Sequence, residues 1–162
     1  MGVLFLPIPL NASPAQALYN AAYEEAREIL LRAADSTPSL ADSQCFLSIR
    51  EELPLTPYHL PAQPDYPYCQ DRPRDLGFVY PMPKPNHIYL CQYATQQRPL
   101  TLAQYLIFFG TLLRGETNPC QAHRPAGITS QCQAARISRD ALRAVGYRPG
   151  VTSIMVKCGL AH

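Results

Sequence analysis

The stretch Thr101-Leu-Ala-Gln-Tyr-Leu-Ile-Phe-Phe-Gly-Thr-Leu-Leu-Arg-Gly115 decides how this chain folds. Thr101 and Gln104 have the spacing of a capping box, which predicts a helix over about 102–114. Leu102, Leu106, Ile107, Phe108, Phe109, Leu112 and Leu113 cover that helix nearly all round. A helix without a polar face is central and buried, so the rest of the chain must wrap it. Gly115 suits the position just past its end.

Two helices precede it. Ser13-Pro14 opens the first, because serine caps well and proline at the first helical position gives up no useful N–H. Leu18, Ala21, Ala22, Ile29, Leu30 and Ala33 then share one face, and Pro38 ends the unit. The second runs from about Leu40 to Leu53, with Phe46, Ile49 and Leu53 in its stripe, and stops at Pro54. Phe78-Val79-Tyr80 and His87-Ile88-Tyr89-Leu90-Cys91 read as short strands and a hairpin. Beyond the central helix, Ser130 and Gln133 form a second capping box before a helix over about 131–145, ended by Gly146. Val151 to Val156 reads as a last strand or an extended tail.

The chain has 162 residues, which predicts one domain with a sizeable core. It divides into a helical N-terminal part (13–53), a Pro/Tyr-rich loop (54–85), and a hairpin with a helical C-terminal part (86–162). Nine of the 17 prolines lie between Pro54 and Pro85, among Tyr58, Tyr66, Tyr68 and Tyr80. Tyrosine and cysteine in that stretch argue for an ordered, strapped-down loop rather than a disordered one. The same tyrosines, Tyr58, Tyr66 and Tyr68 above all, are a candidate binding surface, or else pack the loop over the hairpin. A net charge of +2 without any Lys/Arg run speaks against nucleic acid as a partner. The longest apolar runs are far too short to span a membrane. The N-terminus is ambiguous: Val3 to Leu6 is apolar, but no basic run precedes it and Pro7 and Pro9 interrupt it. Asn11-Ala-Ser13 is a glycosylation sequon, weakened by Pro14.

Six cysteines, Cys45, Cys69, Cys91, Cys120, Cys132 and Cys158, make an even set that points to disulfides and an oxidising compartment, outside the cell or in a periplasm. An alternative is a zinc held by Cys120, His123 and Cys132. His59, His87, His123 and His162 are scattered, with no partner at a meaningful spacing. Glu24-Glu25 and Glu51-Glu52 read as solvated helix faces.

Three stretches together carry a resemblance. Cys69 with Gly77-Phe-Val-Tyr80 and Pro85-Asn-His-Ile-Tyr-Leu-Cys91, then Thr101 to Gly115, then Gly127-Ile-Thr-Ser-Gln-Cys132 resemble the active-site half of the deuterolysin-like zinc endopeptidases, the aspzincins. The resemblance implies a zincin-like α+β fold: mostly helical, with a small antiparallel sheet, braced by disulfides. It also implies a Cys69–Cys91 bridge across the hairpin. Cys132–Cys158 would then tie the last helix to the tail, leaving Cys45–Cys120, one choice among fifteen pairings.

The family's chemistry needs His-Glu-x-x-His on the central helix, because residues four apart share a face and two imidazoles can reach one Zn²⁺. On the matching positions stand Phe108, Phe109 and Leu112, and Ser130 or Gln131 stands near the place of the third, Asp ligand. All three ligands and the general base are replaced. The sequence therefore points to a secreted or periplasmic peptidase-like domain without catalysis or cofactor, which binds a protein partner as an effector, decoy or inhibitor. Two rivals stay open: an active hydrolase, zinc-dependent or otherwise, using a site outside these motifs, and a small disulfide-rich structural or toxin-like protein.

Overall fold

The computed structural model describes residues 13–79, 87–114, 120 and 130–160. The sequon asparagine Asn11, Tyr80, the Pro85-Asn86 boundary, Gly115, His123, Gly127 to Thr129 and His162 lie outside them. Among the described residues, six helices and three short strands follow in the order α1 (Pro14–Ser36), α2 (Leu40–Glu52), β1 (Tyr58–His59), α3 (Pro67–Asp71), β2 (Gly77–Val79), β3 (Ile88–Leu90), α4 (Pro99–Arg114), α5 (Ser130–Ala144) and α6 (Ser153–Lys157), with 3-10 turns at Leu53–Leu55 and Gln92–Gln96. The protein is mostly helical α+β, as the periodicity implies.

α4 is the central element. It packs on α1, α5, α2 and strand β2. Leu102, Ala103, Leu106 and Ile107 are almost completely buried. The helix starts at Pro99, earlier than the capping box predicts, because a proline fits the first turn, where no N–H is needed. The backbone N–H of Leu102 donates to the Arg98 carbonyl. Gln104 is thereby freed from capping. It is buried and clamps the backbone of Gly150, donating to its carbonyl (3.0 Å) and accepting from its N–H (2.9 Å). Gln133, the partner expected in the second capping box, is likewise turned inward and donates to the Cys120 carbonyl at 3.1 Å.

α1 opens where expected, with the Ser13 hydroxyl accepting from the Gln16 N–H. Its buried stripe is Tyr19, Ala22, Ala26, Ile29, Leu30 and Ala33, while Ala21 is exposed. The small residues let α1 lie close to its neighbours, and it packs on α2, α4 and α5. Just past the end of α5, Gly146, with a φ of 84°, closes the turn as the Tyr147 N–H reaches back to Leu142 O (2.9 Å). Residues 151–156 are not a strand. Thr152 caps α6 by accepting from the Met155 N–H, which makes a short helix of that segment.

The sheet is mixed, not purely antiparallel. Its order is β1-β3-β2, with β2 antiparallel and β1 parallel to β3. The Pro/Tyr-rich segment supplies β1, so β3 is flanked on both sides. Alternation gives the sheet two faces. Ile88 and Leu90 join the main core shared by α1, α2, α4 and α5, while Phe78 and Tyr89 lie on the other face with Tyr66, Tyr68, Cys69 and Cys91.

Three disulfides join Cys45 to Cys120, Cys69 to Cys91, and Cys132 to Cys158. They are the three pairs named from the sequence. Among the described residues no helix is long and apolar enough to cross a membrane.

Candidate functional site

α4 presents Phe108 and Leu112, four residues apart and half-buried, on the face beside strand β2. Phe109 is the buried neighbour, its ring 5.4 Å from that of Phe108 and 5.8 Å from Tyr105. Above these rings runs a groove of about 460 Å³. Gly77 to Val79, Gln131 from the start of α5, and Ser153 and Ile154 of α6 line it with them. Phe108, Phe109 and Leu112, three positions matched to the zinc ligands and base by the resemblance, thus converge on one surface recess with Gln131, one of the two residues near the place of the third ligand.

β2 reaches so close to α4 because of Gly77. A Cβ there would stand 2.5 Å from the Tyr89 carbonyl oxygen and 3.3 Å from the Phe109 ring. Any side chain would therefore push β2 off β3 or off the helix. β2 is an edge strand, and among the described residues no strand pairs with its outer side. Cys91 N–H donates to Leu76 O, so in the antiparallel register the polar backbone groups of Gly77 and Val79 point away from β3.

The groove continues into a second recess of about 490 Å³, which shares Asp75, Leu76, Tyr105 and Ser153 with the first. Asp75 stands at the junction and accepts a hydrogen bond from the Tyr68 hydroxyl at 3.1 Å. Burial, then that bond and the carboxylate charge, hold the Tyr68 phenol above its ordinary range, against the opposing pull of Arg72 stacked on its ring at 4.2 Å. Burial, then Asp75 and Tyr93, raise Tyr105 likewise. The first recess is mostly apolar, and the second carries Arg74, Asp75 and the phenols of Tyr93 and Tyr105.

Of the three tyrosines expected to bind, Tyr68 alone lines this groove. Tyr58 stacks on Tyr19 of α1 at 3.7 Å and accepts from the Gln16 amide at 2.8 Å. Tyr66 donates to the Leu60 carbonyl at 2.6 Å and meets Phe78 and Tyr89 edge-on. Both are used to fasten the loop to the body. Asp75 and Tyr105 belong to the site but carry no sequence signal, since their roles depend on how β2 crosses α4.

The groove does not fit a zinc ion. Asp75 is the one carboxylate among its described lining residues, with no imidazole or thiolate beside it, and the phenyl rings, isobutyl group and carboxamide at the matched positions do not supply the missing ligands. The alternative set fails on different chemistry. Cys120 and Cys132 are bonded to Cys45 and Cys158, so neither has a thiolate to give a metal, and His123 lies outside the described residues. The histidines are less scattered than the sequence implies: His59 and His87, 28 residues apart, meet at 2.7 Å.

The chain matches no known protein family, no curated protein and no solved structure.

Proposed function

We propose that this protein is a secreted or periplasmic, peptidase-like domain of zincin ancestry that has given up zinc chemistry and binds a protein partner in the groove over Phe108 and Leu112. The observation that carries the reading is the convergence of Phe108, Phe109, Leu112 and Gln131 on one recess beside an edge strand. In a catalytic cleft those positions would hold imidazoles and carboxylates, whose desolvation only a metal or a hydrogen-bond partner offsets. Apolar side chains there keep the recess folded and turn its floor into contact surface. The outward-facing backbone of β2 supports an extended peptide as the occupant, because an added strand satisfies those groups. Three disulfides fit an oxidising compartment.

The test combines zinc content with proteolysis. Purified protein should take up well under one equivalent of Zn²⁺ and leave an unfolded protein substrate intact. Stoichiometric zinc with chelator-sensitive cleavage would overturn the reading. Phe108→Arg should abolish partner binding while preserving the native circular dichroism spectrum, because the side chain is half-buried at the groove and can turn its charge to solvent.

A further inference from the structure

β1 and β3 are joined by more than backbone pairing. The register sets His59 opposite Tyr89, on the same sheet face as His87, two residues before Tyr89. His59 Nε2 lies 2.7 Å from His87 Nδ1. The two rings are within 14° of parallel and their centroids are 5.0 Å apart. For that nitrogen–nitrogen distance, 5.0 Å is about the longest centroid separation the rings allow. The rings therefore lie in one plane, nitrogen facing nitrogen along a line. A metal bound by two imidazoles sits where their axes converge at an angle. Axes in line leave room for a single hydrogen.

We propose that His59 and His87 form a proton-sharing clasp that holds the Pro/Tyr-rich segment to the sheet and releases it on acidification. The inference stands on this contact and is independent of what the groove binds. One N–H between the two nitrogens serves a neutral pair or a singly charged one. A second proton has no place on the line, since both nitrogens would then be donors and both rings cationic. The stabilisation is thus present at higher pH and lost as the pH falls through the range where imidazoles charge.

The surroundings sharpen the effect. Tyr89 lies beside both rings, at 4.4 Å from His59 and 6.3 Å from His87. Tyr66 meets Tyr89 edge-on from the segment above. Three charged groups of that segment have other tasks: Asp65 accepts from the backbone N–H of Tyr66 and of Gln92, Asp75 accepts from Tyr68, and Arg72 lies on the Tyr68 ring. On the other side, Tyr58 is pinned to α1 through Tyr19 and Gln16. Release at His59 therefore frees one end of the segment that leads to Tyr68 and Asp75.

The experiment is hydrogen exchange of residues 57–66 on the full chain, corrected for intrinsic rates, with imidazole NMR titration alongside. From about pH 7.5 to about pH 5, protection there should fall roughly three- to tenfold in the wild type, more than in α4. His87→Gln should show the lowered protection at both pH values, and the two imidazoles of the wild type should titrate as a coupled pair. An equal pH response in His87→Gln, or two imidazoles that titrate independently, would overturn the clasp. Should His87→Gln fail to fold, His59→Gln and the wild-type titration decide the matter.

Discussion

Phe108 and Phe109 are adjacent, identical in type, and different in task. Phe109 is 4% exposed and fills the space under Gly77, while Phe108 is half-buried at the groove. Phe109→Ala should therefore cost about 3–5 kcal/mol in urea denaturation, the usual range for emptying a buried aromatic site. Phe108→Ala should cost distinctly less, and equal losses would show that Phe108 is plain core. The sequence marks both as apolar and cannot separate them, because the helix is apolar nearly all round and no periodicity picks a face. The glutamines carry the same lesson. Gln104 and Gln133 sit at capping-box spacing, yet each is buried and holds a distant or local backbone group instead. Spacing identifies a hydrogen-bonding side chain near a helix start, and only the assembled chain shows what it bonds.

Among the elements, helices were the most legible and strands the least. α1, α2, α4 and α5 follow from apolar periodicity and from proline and glycine stops, with ends displaced by a few residues. β1 was hidden in the proline-rich segment: two residues long and parallel to β3, it has no local signature. By sequence the α6 segment reads as extended because Val151, Ile154 and Val156 are strand formers, a weak preference that the Thr152 cap overrides. The disulfides tie these elements across very different spans. Cys45–Cys120 closes 75 residues, against 22 for Cys69–Cys91 and 26 for Cys132–Cys158. In the chain-entropy account its removal should cost about 4.5 kcal/mol, against about 3.5 kcal/mol for each of the others. Paired Cys→Ser variants compared by calorimetry should follow that order. If the Cys45→Ser, Cys120→Ser protein is the least affected, loop length does not govern their contribution.

At the scale of the molecule, four phenols make stability depend on alkaline pH. Burial comes first in raising Tyr19, Tyr66, Tyr68 and Tyr105. An acid whose pKa is raised on folding favours the native state below its unfolded value, near 10, and loses that advantage as pH climbs toward the folded value. The urea midpoint should therefore fall above about pH 10. Tyr19→Phe should flatten the fall, because Tyr19 is 6% exposed and stacked against Tyr58. An unchanged slope in that variant would place the alkaline sensitivity elsewhere. What the sequence determined by itself was local or compositional: the helices, the buried central helix, the oxidising chemistry of six cysteines, and the absence of ligand types at Phe108, Phe109 and Leu112. Tertiary structure alone decided which residues meet. It laid β2 against α4 through Gly77, set Asp75 at the middle of the trough, and brought His59 to His87 across a parallel register. Those contacts join residues far apart in the chain, and their energies depend on packing that no short window of sequence contains.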